Sequence, residues 1–155
     1  TKEATNYVQG LFDENQRSFV YGNDEDKHRY CTRGMAGAGI VCLALGGQHR
    51  SKTAQAAGEW ILQNSFEPYN NTRHPDDRYH YGAFYCSQAM FQLGGEYWKR
   101  FFPPFANVLI RAQRDDGSWD VESVPGDQMF GNVYTTSLAI LALATPYQLL
   151  PIYQR

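Results

Sequence analysis

Apolar residues along this chain fall into six helical segments of two alternating kinds. One kind carries a single apolar stripe. The other is apolar on nearly every side. The first segment, Glu3 to Phe12, places Ala4, Tyr7, Val8 and Leu11 at i, i+3, i+4 and i+7, the stripe of an amphipathic helix. The second, Thr32 to Leu45, is apolar nearly all round, which predicts burial on all sides. The third, Thr53 to Asn64, puts Ala57, Trp60, Ile61 and Asn64 on one face and turns Gln55, Glu59 and Gln63 elsewhere. The fourth, Tyr81 to Leu93, is again largely apolar. The fifth is expected to start at Pro104, a favourable first-turn residue, with Phe105, Val108, Leu109 and Ala112 as its stripe. The sixth runs from Asn132 to Ala144 and stops near Pro146.

Polar stretches separate these segments. Asn15 to Arg17 and Gly22 to Asp24 follow the first, Glu67 to Arg78 the third, and Asp115 to Gly131 the fifth. The order is therefore amphipathic, buried, repeated three times. The buried segments also recur at a spacing of about 48 residues, as Cys31 to Gly47, Tyr79 to Gly95 and Asn132 to Pro146. Two of them end in Gly-Gly, at Gly46-Gly47 and Gly94-Gly95, as a helix C-cap would. Gly34, Gly37 and Gly39 weaken helix propensity but let neighbouring backbones approach closely. The predicted fold is all-α, with about three outer/inner helix pairs forming an arc of parallel inner helices wrapped by outer ones. An ordinary six-helix bundle is the alternative.

Composition narrows the reading. At 155 residues the chain is expected to form one domain with a proper core, spanning residues 1–155. A net charge of −2 gives no global reason to bind nucleic acid or anionic lipid. No run is apolar for long enough to span a bilayer. The chain begins at Thr1 rather than Met, as a processed form or an excised piece would, and its compartment stays open. Aromatic residues make up 15%, with 11 tyrosines, enough to line a pocket as well as a core. The cysteines, Cys31, Cys42 and Cys86, are odd in number and form no CxxC, so no disulfide framework is implied. Cys42 and Cys86 lie in apolar helices, where a buried thiol acts as a small hydrophobe.

The sharpest motif is Gln113-Arg-Asp-Asp-Gly117-Ser-Trp119, preceded by Phe105 and Val108-Leu109-Ile110. This segment resembles the QW motif of the terpenoid cyclase and protein prenyltransferase superfamily. Tyr85-Cys-Ser-Gln-Ala-Met-Phe-Gln-Leu-Gly-Gly and Asn132-Val-Tyr-Thr-Thr-Ser-Leu-Ala-Ile-Leu-Ala-Leu resemble that family's inner helices. The chain is most similar to squalene-hopene-cyclase-like repeat proteins. The resemblance implies an α/α toroid, of whose six helix pairs this chain offers about half. Only one motif copy is complete, since Trp60-Ile61-Leu62-Gln63 is not followed by Gly-x-Trp. In the motif, Gln113 is expected to bond exposed groups of a neighbouring helix or stack on Trp119, while Gly117 permits the turn. Both Gln113 and Trp119 are expected to stabilise rather than catalyse.

Chemistry implied by the resemblance is incomplete here. Class II cyclases protonate an alkene with an Asp of a DxDD motif, which needs clustered carboxyls. Asp24-Glu25-Asp26-Lys27 comes nearest and fails at its last position. Asp76-Asp77 and Asp115-Asp116 are pairs without the pattern, and the latter fits a turn. Asp24, Asp26, Asp76 and Asp77 are the candidate acids. Prenyltransferases hold a zinc with Asp, Cys and His. Asp77-Arg-Tyr79-His80 resembles the His-bearing strip, and Cys31 opens the second helix at the comparable place, making Cys31 and His80 the alternative metal pair. The family's Asp two residues before the Cys is replaced by Arg29, so no cofactor is expected, with zinc as the alternative. His28, His49 and His74 lie in polar stretches and read as solvent-facing.

Tyr79, His80, Tyr81, Tyr85 and Tyr134 are the pocket candidates, at or near the N-terminal ends of inner helices. Phe84 reads as core. The resemblance implies binding or transformation of a bulky apolar, isoprenoid-like molecule among aromatic faces. A non-catalytic interaction or structural module on the same scaffold is the alternative. Exposed inner-helix flanks of a half-toroid imply cover by an upstream half-domain or a second copy.

Overall fold

A computed structural model describes residues 2–22 and 30–147. The fold is all-α, with α1 (Lys2–Gly10), α2 (Arg33–Leu45), α3 (Lys52–Gln63), α4 (Tyr79–Leu93), α5 (Gly95–Ala112) and α6 (Gly131–Leu143). One small antiparallel hairpin, β1 (Phe12–Asp13) and β2 (Ser18–Phe19), follows α1. Among the described residues no helix is long and apolar enough to cross a membrane.

Helix α4 packs between α2 and α6. Gly34 of α2 lies against Tyr81 of α4, and further along Gly37 lies against Tyr85 and Cys86. The two helices therefore run the same way, and the residues that touch have the spacing of about 48 that recurs in the sequence. Ser87 Oγ of α4 donates to the Ala142 carbonyl of α6 at 2.8 Å and lies within hydrogen-bond distance of Thr145 Oγ1 at 3.0 Å. Helix α3 bridges α2 and α4 from outside, and α5 packs on α3 and α4. Helix α4 is thus the most enclosed, with α2 and α6 on either side of it and α3 and α5 packed against it.

The close approach of α2 and α4 rests on missing side chains. A Cβ on Gly37 would sit 2.6 Å from the Tyr85 carbonyl carbon and 2.7 Å from the Cys86 nitrogen. Backbone cannot yield as a flexible side chain would. Helix α2 ends as its Gly-Gly pair predicts. Gly47 has φ 76°, and the Gly47 and Gln48 amides donate back to the Ala44 and Leu43 carbonyls at 2.9 and 2.7 Å. This Schellman arrangement satisfies carbonyls that the helix end would leave bare.

Several expectations are corrected. Helix α4 starts at Tyr79, two residues before Tyr81, because a distant carboxylate caps it there. Helix α5 starts at Gly95, not Pro104, and carries Pro103 and Pro104 inside it. Both prolines are exposed, on the side where freed carbonyls meet water. The α5 stripe extends back through Trp98, Phe101 and Phe102, and it is these rings that hold the first half of the helix to the core. In α1 the buried residue is Thr5, set against Gly46, while Ala4 and Tyr7 of the expected stripe face solvent. The hairpin was not expected. Asp13 Oδ1 accepts the Asn15 and Gln16 amides at 2.9 Å each, which closes its turn, and Phe12 and Phe19 pair edge to face across it at 5.4 Å. Cys42 is exposed, and only Cys86 is a fully buried thiol. Helix α6 is buried on one side only. Its outer flank leaves Val133 77% and Ile140 53% exposed.

Phe66, in the loop after α3, is the hub of the core. Its ring meets Tyr79, Phe101 and Phe105 edge to face at 5.3, 6.0 and 5.2 Å. Gly37→Ala should therefore force the α2–α4 pair apart and destabilise by about 1–3 kcal/mol, lowering Tm by about 3–10 °C in a thermal melt. An unchanged melt would show that the helices can separate without loss.

Candidate functional site

The N-terminal ends of α2 and α4 meet over a buried ionic network. Arg33, the first residue of α2, is completely buried. Its Nε donates to Asp77 Oδ2 at 2.9 Å, and its Nη2 pairs with the same oxygen at 2.8 Å. Nη1 donates to Asn71 Oδ1 at 2.9 Å and the Ser65 carbonyl at 3.2 Å, and Nη2 to the Asn71 carbonyl at 2.7 Å. Every guanidinium N–H is thus used. The plane lies 4.5 Å from the Phe66 ring centre and 5.2 Å from that of Tyr79. Asp77 also caps α2, accepting the Arg33 amide at 3.0 Å.

Glu122 repeats this device on α4. From the loop before α6, its carboxylate accepts the Tyr79 and His80 amides at 2.9 Å each. A negative group at a helix start meets both the free amides and the positive helix end. The His80 ring lies beside it, wholly buried, with Nδ1 3.4 Å from Glu122 Oε1 but in no well-aligned hydrogen bond. Nε2 lies 3.1 Å from the Tyr69 hydroxyl, whose oxygen accepts the Asp120 amide at 3.2 Å. Burial, then the charge of Asp120, pushes the Tyr69 phenol upward, so it stays a donor.

Above this floor opens a cleft of about 330 Å³, where the starts of α2, α4 and α6 converge. Tyr21, Tyr81, Phe130 and Tyr134 supply its rings, and Met35, Thr32 and Gly34 its α2 wall. Asp76 and Arg78 stand at its polar rim. Arg78 is paired with Asp127 through Nε–Oδ2, and Nη2 donates to Oδ1 at 3.3 Å. Burial, then the neighbouring Tyr85, pushes the Tyr81 phenol up to about 12. Tyr134 is raised too, by burial first and then by Glu122. Both hydroxyls remain neutral across the physiological range.

The candidates from sequence separate into groups. Tyr81 and Tyr134 line the cleft, and Tyr85 packs tilted against Tyr81 at 4.7 Å without itself forming the wall. Tyr79 and His80 are 0% exposed and belong to the floor rather than to the pocket, because Glu122 draws both amides inward. Asp76 reaches the cleft. Asp77, spent on Arg33, offers no free acid. Asp24 and Asp26, with His28 and Arg29, lie outside the described residues. Asp115 and Asp116 sit on an exposed turn, where Asp116 Oδ1 accepts the Ser118 amide and hydroxyl at 2.9 and 2.6 Å. Phe84 packs edge to face on Tyr85 at 5.0 Å. His74 stacks on Tyr30 at 4.1 Å.

The proposed metal pair finds different neighbours. The Cys31 thiol meets Ser18 of the hairpin, and burial first, with Asp13 adding, pushes it up to about 11. His80 meets Tyr69 and Glu122 instead. No group of three or more His, Cys, Asp or Glu side chains that could hold a metal occurs among the described residues.

Gln113, Gly117 and Trp119 form a clasp, with one change of role. Gln113 Nε2 donates to the Gly117 carbonyl at 2.9 Å, closing its own turn rather than reaching another helix. Gly117 takes φ 83°, which a side chain would resist. Trp119 is 3% exposed. Its Nε1 donates to the Leu109 carbonyl of α5 at 2.9 Å, its amide to Thr136 Oγ1 of α6 at 3.0 Å, and its carbonyl accepts from Thr135 Oγ1 at 3.3 Å. One residue thereby ties α5 to α6.

Sequence reasoning missed Arg33, Tyr69, Glu122 and Asp127. The signal for Arg33 was present: a lone charge at the start of a helix otherwise apolar all round needs a buried partner. Nothing local marks Glu122, whose partners lie 42 and 43 residues away.

Trp119→Ala should cost about 3–5 kcal/mol by chemical denaturation, from the cavity and the bared Leu109 carbonyl. Trp119→Phe keeps most of the ring and should cost about 1–3 kcal/mol. Equal losses for both would mean that the indole N–H, not packing, carries the clasp.

Comparison with protein-family models, with curated proteins and with solved structures found no match. The functional reading accordingly rests on this chain's own geometry.

Proposed function

We propose that this chain is a toroid-type helical-repeat domain, akin to the terpenoid cyclase and prenyltransferase scaffold, that binds a bulky apolar, isoprenoid-like molecule. The observation that carries the reading is the aromatic cleft at the convergence of three inner-helix starts. Its volume of about 330 Å³ falls at the small end of the range of ligand pockets. Tyr81 is set on α4 and Tyr134 on α6, and the Arg33–Asp77 and Glu122 contacts beneath tie the starts of α2 and α4 to the loops that follow them. A rigid floor lets the rings be placed before a ligand arrives, which lowers the ordering cost of binding.

The reading is one of binding, with no chemical step assigned. Asp77 is neutralised against Arg33, and the Asp76 side chain is 49% exposed, so the two carboxyls do not share one environment. A strong acid of the cyclase kind needs a proton held between neighbouring carboxyls.

One observation favours a second reading, an interaction module on the same scaffold. The outer flank of α6 exposes Val133 and Ile140, and the first turn of α6 has no side-chain cap. An upstream half-domain or a second copy set against α6 would cover both.

Farnesol and geraniol are suitable probes of the first reading. Binding by isothermal titration should be saturable, and Met35→Trp, which fills the α2 wall of the cleft, should weaken it at least about tenfold without lowering Tm. Affinity untouched by Met35→Trp would place any binding elsewhere. If neither alcohol binds and the protein is a stable dimer by native mass spectrometry, the interaction reading replaces it.

A further inference from the structure

We propose that the cleft selects an organic cation, an amine or quaternary ammonium carried on an apolar body, with its charge at Asp76 among the tyrosine rings. This inference rests on the reading of the cleft as a binding site and adds the charge of its ligand.

The polar groups around the convergence of α2, α4 and α6 are largely committed to one another. Arg33 faces Asp77, Glu122 caps α4, and Arg78 is held by Asp127. The positive ends of α2 and α4 are therefore already met by carboxylates and offer little to an anion. Asp76 is the remaining carboxylate, and it lines the cleft.

Among the described residues no Lys or Arg pairs with it. His74 is nearest, with Nδ1 3.7 Å from Asp76 Oδ2. That nitrogen is also the acceptor of the Asp76 backbone amide at 3.2 Å, a contact closer than the one to the carboxylate. Arg78 lies near enough to feel the charge of Asp76, but its Nε and Nη2 are used on Asp127. Among the described residues its other partner is the neutral Tyr30 hydroxyl, which hydrogen-bonds Asp76. Tyr30 is itself fixed in a stack, 4.1 Å from the His74 ring and 6.1 Å from Tyr21.

The other walls carry aromatic rings. Tyr21, Tyr81 and Tyr134 line the same space as Asp76. A cation over an aromatic face is attracted by the ring quadrupole, more strongly where water is excluded. An anion would meet both Asp76 and the negative ring faces. A neutral body would use the rings but leave the Asp76 charge without gain. One half-exposed carboxylate beside several rings is the combination that recognises a bulky ammonium group.

Three probes with one body separate the possibilities: hexyltrimethylammonium, hexanol and hexyl sulfate, each below its aggregation concentration, titrated calorimetrically. The cation should bind about tenfold or more tighter than hexanol, and hexyl sulfate should bind weakest. Asp76→Asn should remove most of the cation's advantage and leave hexanol unchanged, with an unaltered thermal melt. Tyr134→Leu, which keeps bulk but removes a ring face, should weaken the cation more than hexanol. Equal affinity for cation and alcohol, or a preference for the sulfate, overturns the inference while leaving the cleft as a binding site. Absence of binding by all three overturns both. A cation preference that survives Asp76→Asn overturns the assignment of its charge to Asp76.

Discussion

A single charged side chain at the start of an inner helix sets the constraints on this fold. Arg33 is fully buried, and an uncompensated buried charge costs several kcal/mol even after relaxation. Its stability therefore depends on Asp77, Asn71, Ser65 and the rings of Phe66 and Tyr79 arriving together. The guanidinium fork suits this role because five donors in one plane can be met by a carboxylate and three carbonyl-type oxygens. A lysine would offer three donors on a flexible stem and no face to stack. The loop between α3 and α4 is long and polar, yet it has little freedom, since its residues are the ligands of Arg33.

The same logic recurs one unit along. Asp77, just before α4, caps α2. Glu122, before α6, caps α4. The starts of α2 and α4 are thus each met by an acid supplied from the loop that follows the next outer segment, whereas the start of α6 has no side-chain cap. The partners are 44 residues apart in the first case and 42 and 43 in the second. Repeat spacing in this chain therefore describes hydrogen bonds as well as apolar pattern. Trp119 adds the outer fastening, between α5 and α6. The cleft lies over these helix starts, so the placement of Tyr81 follows from the buried contacts that fix the start of α4.

The sequence carried the helices well. The apolar pattern marked six helices of an all-α fold, and Gly34, Gly37 and Gly39 marked α2 as a helix that neighbours approach closely. The start of α5 was misplaced because Pro104 is a strong local signal, whereas the stripe of Trp98, Phe101 and Phe102 becomes decisive only once the core they fill is known. The hairpin was hidden because its strands are two residues long, too short for any alternation. In α1, Thr5 is inside because Gly46 leaves room for it, a fact about another helix. At the site, ring positions on α4 and α6 were readable. Their division into floor and wall was not, since burial of Tyr79 and His80 depends on Glu122, far along the chain. Asp76 and Asp77 are neighbours in sequence with opposite fates, one facing solvent and one facing Arg33, and no local pattern distinguishes them.

A double-mutant cycle on the Arg33–Asp77 pair, read as unfolding free energy in urea, tests the account most directly. Arg33→Met and Asp77→Ala should each cost about 3–5 kcal/mol, because each leaves the other group buried and poorly matched. The double variant should cost clearly less than their sum, with a coupling of about 2 kcal/mol or more. Single variants that each lose less than about 1 kcal/mol and add without coupling would contradict it, since the network could then not be what fixes the helix starts or the cleft above them.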